Sequence, residues 1–125
     1  GFPNMLFAYG PLSPSGFSNG PTSAEIQGDW ICDFLVWMRE NGVDLFEADP
    51  AAETGWTEMV AQAGAMTLFP EADSWYMGAN IPGKKRQLIN FPSVSGYVAL
   101  CEDVANEEYR GFVIDKPTSK EHLTK

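Results

Sequence analysis

Few residues in this chain carry reactive side chains, and their positions limit the chemistry that the chain can perform alone. The single histidine, His122, lies in a polar C-terminal stretch, so we do not expect a serine–histidine, cysteine–histidine or histidine–metal site built within the chain. Cys32 and Cys101 lack the C-x-x-C spacing of redox and zinc motifs, and we predict that they stay unpaired. The sequence therefore predicts no catalytic residue and no metal site of its own.

The acidic residues do not form a recognisable catalytic pair. Asp44, Glu47 and Asp49 cluster near a predicted loop, but nothing in their sequence surroundings would tune two carboxylates to different roles. We interpret them as helix-capping and solvated residues.

Two loops have the composition of binding elements. The first, from Gly10 to Gly20, links a predicted strand to a helix N-terminus, an order that can set backbone N–H groups against an electron-rich ligand. It matches neither G-x-G-x-x-G nor a P-loop, so the pattern alone allows either a ligand site or an ordinary connection.

The second loop runs from Trp75 to Arg86. Two large aromatic residues precede a stretch with glycine, asparagine and proline, and the basic residues Lys84, Lys85 and Arg86 close it. Such a composition is typical of a packed surface loop or of a mobile binding element. The basic triplet either meets a phosphate or offsets the acidic surface of the chain.

Helices are expected to position these loops. A capping box at Thr22 and Glu25 predicts a first helix that ends at Asn41-Gly42. A second helix is predicted to begin at the cap Asp49-Pro50 and to end at residues 68–70, with Val60 and Met66 or Thr67 on its inner face. A third helix is predicted to open at Gly96-Tyr97. The predicted extended elements are a buried strand over residues 4–9, a short piece at 44–46 and a strand over 109–114.

Charge and hydropathy exclude several classes of partner. Seventeen acidic residues against eight basic ones give a formal charge of -9, which disfavours nucleic acid and anionic membranes. No apolar run approaches the roughly 20 residues that cross a bilayer, and we expect a cytoplasmic protein. Hydrophobic residues make up 44% of the 125 positions, enough for one packed unit or a piece of a larger one.

The residues of the two loops resemble the C-terminal part of flavin-dependent Baeyer–Villiger monooxygenases. The resemblance runs from Gly1 to about Ile114, and its most specific stretch is residues 72–84, ADSWYMGANIPGK. It is supported by Phe2-Pro3-Asn4, Gly10-Pro11, Ser13-Pro14-Ser15, Asn19, Glu25, Trp30 and residues 109–112.

This resemblance implies an α/β fold class, with the chain as the C-terminal piece of a Rossmann-like FAD-binding domain plus a helical extension, helix-rich with a few short strands. Residues 1–42 would be the final strand and helix of that domain, 43–70 a linker and helix, and 71–92 a mobile control loop. Residues 93–114 would be the terminal helix and strand, and 115–125 a polar tail.

The resemblance also implies an enzyme that binds FAD and NADP and uses NADPH and O2 to oxidise a ketone to an ester or lactone. Its cofactor-binding residues would be Asn19, Gly20 and Pro21 at the flavin edge, with Ser74, Trp75, Asn80 and Lys84 on the loop that closes over NADP. Its substrate pocket would be lined by Ser15, Gly16, Phe17, Ser18 and Gly20, and the small residues there indicate room for large or cyclic ketones.

The dinucleotide motifs and the catalytic arginine of that family are absent from these residues and would precede Gly1. The 125 residues are therefore not expected to be a competent monooxygenase alone, and the main partner would be the remainder of the enzyme chain. Two alternatives stay open: an N- or S-oxygenating flavin monooxygenase, and a non-catalytic ligand- or partner-binding module.

Overall fold

The computed structural model describes residues 2–115 and is dominated by three helices. These are α1 (Gly20–Asn41), α2 (Pro50–Ala65) and α3 (Val94–Asn106). Two short strands, β1 (Leu45–Ala48) and β2 (Phe112–Asp115), pair antiparallel with Phe46 opposite Ile114. The expected helix-rich class with a few short strands is confirmed. His122 and the predicted tail beyond Asp115 lie outside the described residues.

Helix α1 begins earlier than the sequence pattern predicts. The Asn19 side chain accepts a hydrogen bond of 2.9 Å from the Thr22 backbone N–H, and Pro21 occupies the first turn. The predicted capping box at Thr22 and Glu25 is therefore wrong, because Asn19 already caps the helix and Thr22 lies inside its first turn. The predicted end is confirmed, since Gly42 adopts the left-handed conformation with φ 63°.

Helix α2 begins at the predicted cap and ends before the predicted stop. Asp49 Oδ1 accepts from the N–H groups of Ala51 and Ala52 at 2.9 and 3.1 Å. The helix ends at Ala65, and a separate 3-10 turn covers Phe69–Glu71. Val60 is buried as predicted, whereas Met66 and Thr67, the two alternatives for the inner face, both follow the end of the helix. Met66 is 90% exposed and Thr67 is half-buried.

Helix α3 also begins before the residue predicted to open it. Ser93 Oγ accepts from the Gly96 N–H at 3.0 Å and acts as the N-cap, so the helix starts at Val94. The predicted terminal strand is present in shorter form as β2.

The buried strand predicted over residues 4–9 does not form within the described part of the chain. This segment makes turns, with left-handed backbone at Asn4 (φ 59°) and Tyr9 (φ 58°). No neighbouring strand offers it a continuous set of backbone partners, since the sheet of residues 2–115 has only β1 and β2. Met5, Phe7 and Tyr9 are consequently exposed, Phe7 to 67%, whereas Leu6 packs against the aromatic core.

Aromatic residues form the core between α1 and the two-stranded sheet. Phe34 has no exposed surface, and its ring lies 4.4 Å from the ring of Tyr109 and 4.9 Å from that of Phe46, centroid to centroid. The ring contacts of Phe34 also include Trp30, Trp37 and Phe112. This cluster fixes the C-terminal strand against the first helix.

A second buried group holds α2 against the segment of residues 87–91. Val60 and Leu88 are almost completely buried, and Trp56 stacks on Phe91 with 5.5 Å between ring centroids. Gly64 permits the close approach, because a Cβ at that position would lie 2.9 Å from the Cβ of Leu88. The segment 87–91 is thereby fixed in place beside the two predicted binding loops.

Candidate functional site

The segment 87–91 joins the two loops that the sequence singled out. Its backbone hydrogen-bonds on one side to residues 12–13 and on the other side to residues 76–77. The four hydrogen bonds run from Leu12 N to Ile89 O at 2.7 Å, from Phe91 N to Ser13 O at 2.9 Å, from Ile89 N to Tyr76 O at 3.0 Å and from Gln87 N to Met77 O at 3.2 Å. Loops about 60 residues apart in sequence are held side by side.

A cavity of about 290 Å³ lies where these loops meet. Ser15 and Gly16, predicted for the substrate pocket, line it together with Trp75, predicted for cofactor binding. Tyr9, Tyr76 and Asn90 also contribute to its walls. The cavity is thus lined by residues of both predicted binding loops.

Asn90 is the residue of this cavity that sequence reasoning missed. It is 2% exposed, and its Oδ1 accepts from Ser15 Oγ at 2.7 Å and from the Gly16 N–H at 2.9 Å. A Cβ at Gly16 would lie 2.8 Å from Asn90 Cγ, so glycine is required for this approach. No local pattern marks the asparagine, because its partners lie more than 70 residues away in sequence.

Trp75 begins a short 3-10 turn, Trp75–Met77, and is presented to the surface. Its side chain is 61% exposed, its ring lies 4.1 Å from that of Tyr76, and its indole N–H has no acceptor within the described residues. Ser74 Oγ accepts from the Tyr76 N–H at 3.2 Å and caps the turn. Asn80, farther along the same loop, is exposed.

The basic triplet divides into two roles. Arg86 pairs with Asp73 at 3.0 Å and donates to the Ala72 carbonyl, so it ties the two ends of the loop together. Lys84 is exposed and forms no ion pair within residues 2–115, and a Cβ at Gly78 would lie 3.1 Å from its Cδ. The charge of Lys84 remains available to a ligand.

The residues predicted for the flavin edge lie at the start of α1, outside the cavity lining. Asn19 and Pro21 are exposed, Gly20 is half-buried, and the first turn of the helix carries no acidic residue. Tyr9 connects this helix start to the cavity: a Cβ at Gly20 would lie 3.7 Å from Tyr9 Cζ, and the Tyr9 hydroxyl donates to the Ser15 carbonyl at 3.4 Å.

The remaining two residues predicted for the substrate pocket, Phe17 and Ser18, do not line the cavity. Phe17 packs edge-on against Phe69 with 5.5 Å between centroids. Ser18 Oγ donates to the Asn19 carbonyl at 3.1 Å.

A larger groove of about 700 Å³ lies along α1 and α3 and contains none of the predicted site residues. Its walls include Trp30, Trp56, Tyr97 and Cys101. Burial raises the pKa of the Tyr97 phenol and the pKa of the Cys101 thiol, which keeps both groups protonated near neutral pH. The groove is therefore suited to packing rather than to proton transfer or nucleophilic attack.

Among the described residues, no group of three or more histidine, cysteine or acidic side chains could hold a metal ion. The helices of residues 2–115 are too short or too polar to cross a bilayer.

No protein-family model matches the chain, but individual proteins do. Cyclopentanone 1,2-monooxygenase of Comamonas sp. is 45% identical over 113 residues, which cover 90% of this chain and 20% of that protein. Phenazine N-monooxygenase PhzNO1 of Lysobacter antibioticus is 38% identical over 120 residues, 95% of this chain and 22% of that protein. A Baeyer–Villiger monooxygenase of Pseudooceanicola batsensis is 37% identical with the same coverage.

The solved structures that resemble this chain include monooxygenases. Cyclohexanone monooxygenase from Rhodococcus sp. Phi1 bound to NADP+ superposes with a TM-score of 0.83 at 35% identity, covering 92% of this chain and 22% of that one. The OTEMO complex with FAD and NADP gives 0.81 at 32% identity, covering 92% and 21%. The chain spans about one fifth of the length of the relatives that it matches.

Proposed function

Because this chain is a homologue of Baeyer–Villiger monooxygenases over about one fifth of their length, we propose that it is the C-terminal part of such an enzyme. The complete enzyme would use NADPH and O2 to oxidise a ketone to an ester or lactone. The observation that carries the proposal is the cavity shared by Ser15, Gly16 and Trp75, since residues predicted for the substrate pocket lie there beside a residue predicted for cofactor binding.

The residues present fit a dinucleotide at the loop of residues 71–92. Trp75 offers an exposed indole N–H without an acceptor within the described residues, and Lys84 offers an unpaired cation on the same loop. A ribose hydroxyl and a phosphate are the groups that such a donor and such a cation bind. Trp75 and Lys84, with Ser74 and Asn80, would therefore hold NADP, and the loop would shield the cavity from water.

The start of α1 fits the electron-rich edge of a flavin. Asn19, Gly20 and Pro21 carry no negative charge, and the positive end of the helix dipole lies at this point. When bound, FAD and NADPH supply the electron transfer and oxygen activation that no side chain of this chain provides.

The main partner would be the remainder of the enzyme. Apolar side chains of residues 2–9 are exposed, and the groove along α1 and α3 is lined mainly by apolar residues. Surfaces of this kind are normally covered by other protein. In our proposal residues 4–9 become the last strand of the FAD-binding domain when the rest of its sheet is present, and residues 1–42 complete that domain.

The full coding sequence provides the test. The complete protein should purify with a flavin absorbance band, consume NADPH in the presence of cyclohexanone, and form the corresponding lactone, detected by gas chromatography and mass spectrometry. Absence of two glycine-rich dinucleotide motifs upstream of Gly1, or a flavin-free protein that forms no lactone, would contradict the proposal.

A second candidate is N-oxygenation, favoured by the 38% identity to a phenazine N-monooxygenase. Product analysis with a cyclic ketone against a phenazine or tertiary amine separates the two activities. A non-catalytic binding module is the third reading; tight binding of a partner by a protein that never retains flavin would support it.

A further inference from the structure

The orientation of the Asn90 side-chain amide is fixed by its neighbours. The amide atom that lies 2.9 Å from the Gly16 backbone nitrogen must be Oδ1, because an N–H group donates and an NH2 group cannot accept. Ser15 Oγ lies 2.7 Å from the same oxygen. Nδ2 is therefore the free end of the amide.

Asn90 Nδ2 is buried and has no hydrogen-bond acceptor among the described residues. Unpaired buried donors are rare in folded proteins, and each lowers stability unless something else satisfies it. The residue lines the 290 Å³ cavity beside Trp75. Gly16 covers the amide but lies at the surface, so a shift of this loop on ligand entry would open the nitrogen to the cavity.

The cavity lining indicates what the nitrogen would bind. Aromatic and aliphatic side chains, those of Tyr9, Pro11, Trp75, Tyr76 and Ile89, form most of its walls, and no charged side chain of residues 2–115 lines it. An amide donor in such surroundings favours an uncharged oxygen acceptor on an otherwise apolar molecule. A phosphate or carboxylate would lack a counter-charge there.

Asn19, Gly20 and Pro21 do not line this cavity, so a ligand group bound in it would not occupy the predicted flavin edge itself. We propose that Asn90 is a specificity-determining residue, an inference that rests on the proposed function. Its Nδ2 would donate to an uncharged oxygen of the ketone substrate other than the oxygen of the reacting carbonyl. Substrates with an ether, hydroxyl or second carbonyl group remote from the reacting carbonyl are then favoured over plain hydrocarbon ketones.

The test compares two ketones of equal ring size in the full-length holoenzyme. Tetrahydropyran-4-one has an ether oxygen where cyclohexanone has a methylene. The ratio of kcat/KM for tetrahydropyran-4-one to kcat/KM for cyclohexanone therefore reports recognition of that oxygen. We expect Asn90→Leu and Asn90→Asp to lower the ratio by about five- to tenfold, mainly through KM for tetrahydropyran-4-one. Asn90→Asp keeps acceptors for Ser15 and Gly16 while removing the amide donor.

Two further variants separate this role from general damage to the fold. Gly16→Ala leaves Asn90 in the chain but places a Cβ 2.8 Å from its amide, and it should lower the ratio in the same direction. Asn106→Leu, an exposed position at the end of α3, is the matched control and should leave the ratio unchanged.

An unchanged ratio in an Asn90→Asp or Asn90→Leu enzyme that retains flavin and oxidises cyclohexanone would overturn the inference. Failure of the proposed function looks different, because the unsubstituted enzyme would then form no lactone from either ketone.

Discussion

Phe34 contacts five other aromatic rings and is completely buried. Replacing it with alanine removes these contacts and leaves a cavity, so Phe34→Ala should lower the free energy of unfolding by roughly 3–5 kcal/mol. Urea denaturation followed by tryptophan fluorescence measures the change. Leu35→Ala is the control, since Leu35 is the neighbouring residue and is 49% exposed, and it should lower the free energy of unfolding much less. Equal decreases in the two variants would show that the aromatic cluster is not the core.

Trp75 presents the opposite case, a large side chain with few contacts and 61% exposure. In the full enzyme, Trp75→Ala should lower product formation per bound flavin by about tenfold or more while flavin content stays unchanged, because in our proposal the indole N–H donates to NADP and makes no hydrogen bond within residues 2–115. Product yield and flavin absorbance, measured on the same preparation, give both quantities.

Met66→Ala is the matched control for Trp75, since Met66 is 90% exposed and lies outside both loops. If Trp75→Ala lost its flavin while the remaining holoenzyme oxygenated ketones normally, the assignment of Trp75 to the closing loop would be wrong.

Asn90 shows why the candidate site could be predicted only in part. Ser15, Gly16 and Trp75 carry local signals, namely a small-residue loop before a helix and an aromatic pair before a glycine-containing loop. Asn90 stands in an irregular stretch, and its role depends on hydrogen bonds to Ser15 and Gly16 that only the folded chain creates. Sequence patterns report periodicity and caps, not contacts between distant residues.

Helix α2 contains a matched pair of glycines in different surroundings. A Cβ at Gly55 would meet nothing within 4 Å, whereas a Cβ at Gly64 would lie 2.9 Å from Leu88 Cβ. Gly55→Ala should therefore stabilise the chain by about 0.5–1 kcal/mol through helix propensity. Gly64→Ala should destabilise it by about 1–3 kcal/mol through overpacking.

Thermal unfolding of the two α2 variants beside the unsubstituted chain checks both signs. Stabilisation by Gly64→Ala would mean that α2 does not pack on the segment 87–91.

Among the secondary-structure elements, the helix termini that one residue type determines are the features that the sequence predicts correctly. Asp49-Pro50 and Asn41-Gly42 mark real helix ends, because a capping carboxylate and a left-handed glycine are local requirements. The start of α1 was mispredicted because two side chains, Asn19 and Thr22, were both competent caps. The strand predicted over residues 4–9 is absent from residues 2–115 because a strand needs a neighbour, which its own residues cannot supply.

The whole molecule leaves apolar surface without cover in its N-terminal segment. Phe2 and Phe7 are 73% and 67% exposed, so the 125-residue chain should bind the dye ANS and self-associate, whereas the full enzyme should do neither. ANS fluorescence and size-exclusion chromatography of both proteins measure this difference. A Phe2→Ser, Phe7→Ser double variant of the short chain should reduce dye binding, and equal dye binding by short chain and full enzyme would argue against a buried role for this segment.

The backbone pairing of residues 87–91 with both loops has a consequence for protein engineering. A loop exchanged between relatives brings new side chains but must still present Tyr76 and Met77 carbonyls to Ile89 and Gln87. A graft of residues 72–86 alone takes the loop from one protein and its hydrogen-bonding partners, residues 87 and 89, from another. A graft that ends at residue 91 takes both from the same protein. Chimaeras that divide the chain after residue 91 should therefore retain folded, active enzyme more often than those that divide it at residue 86.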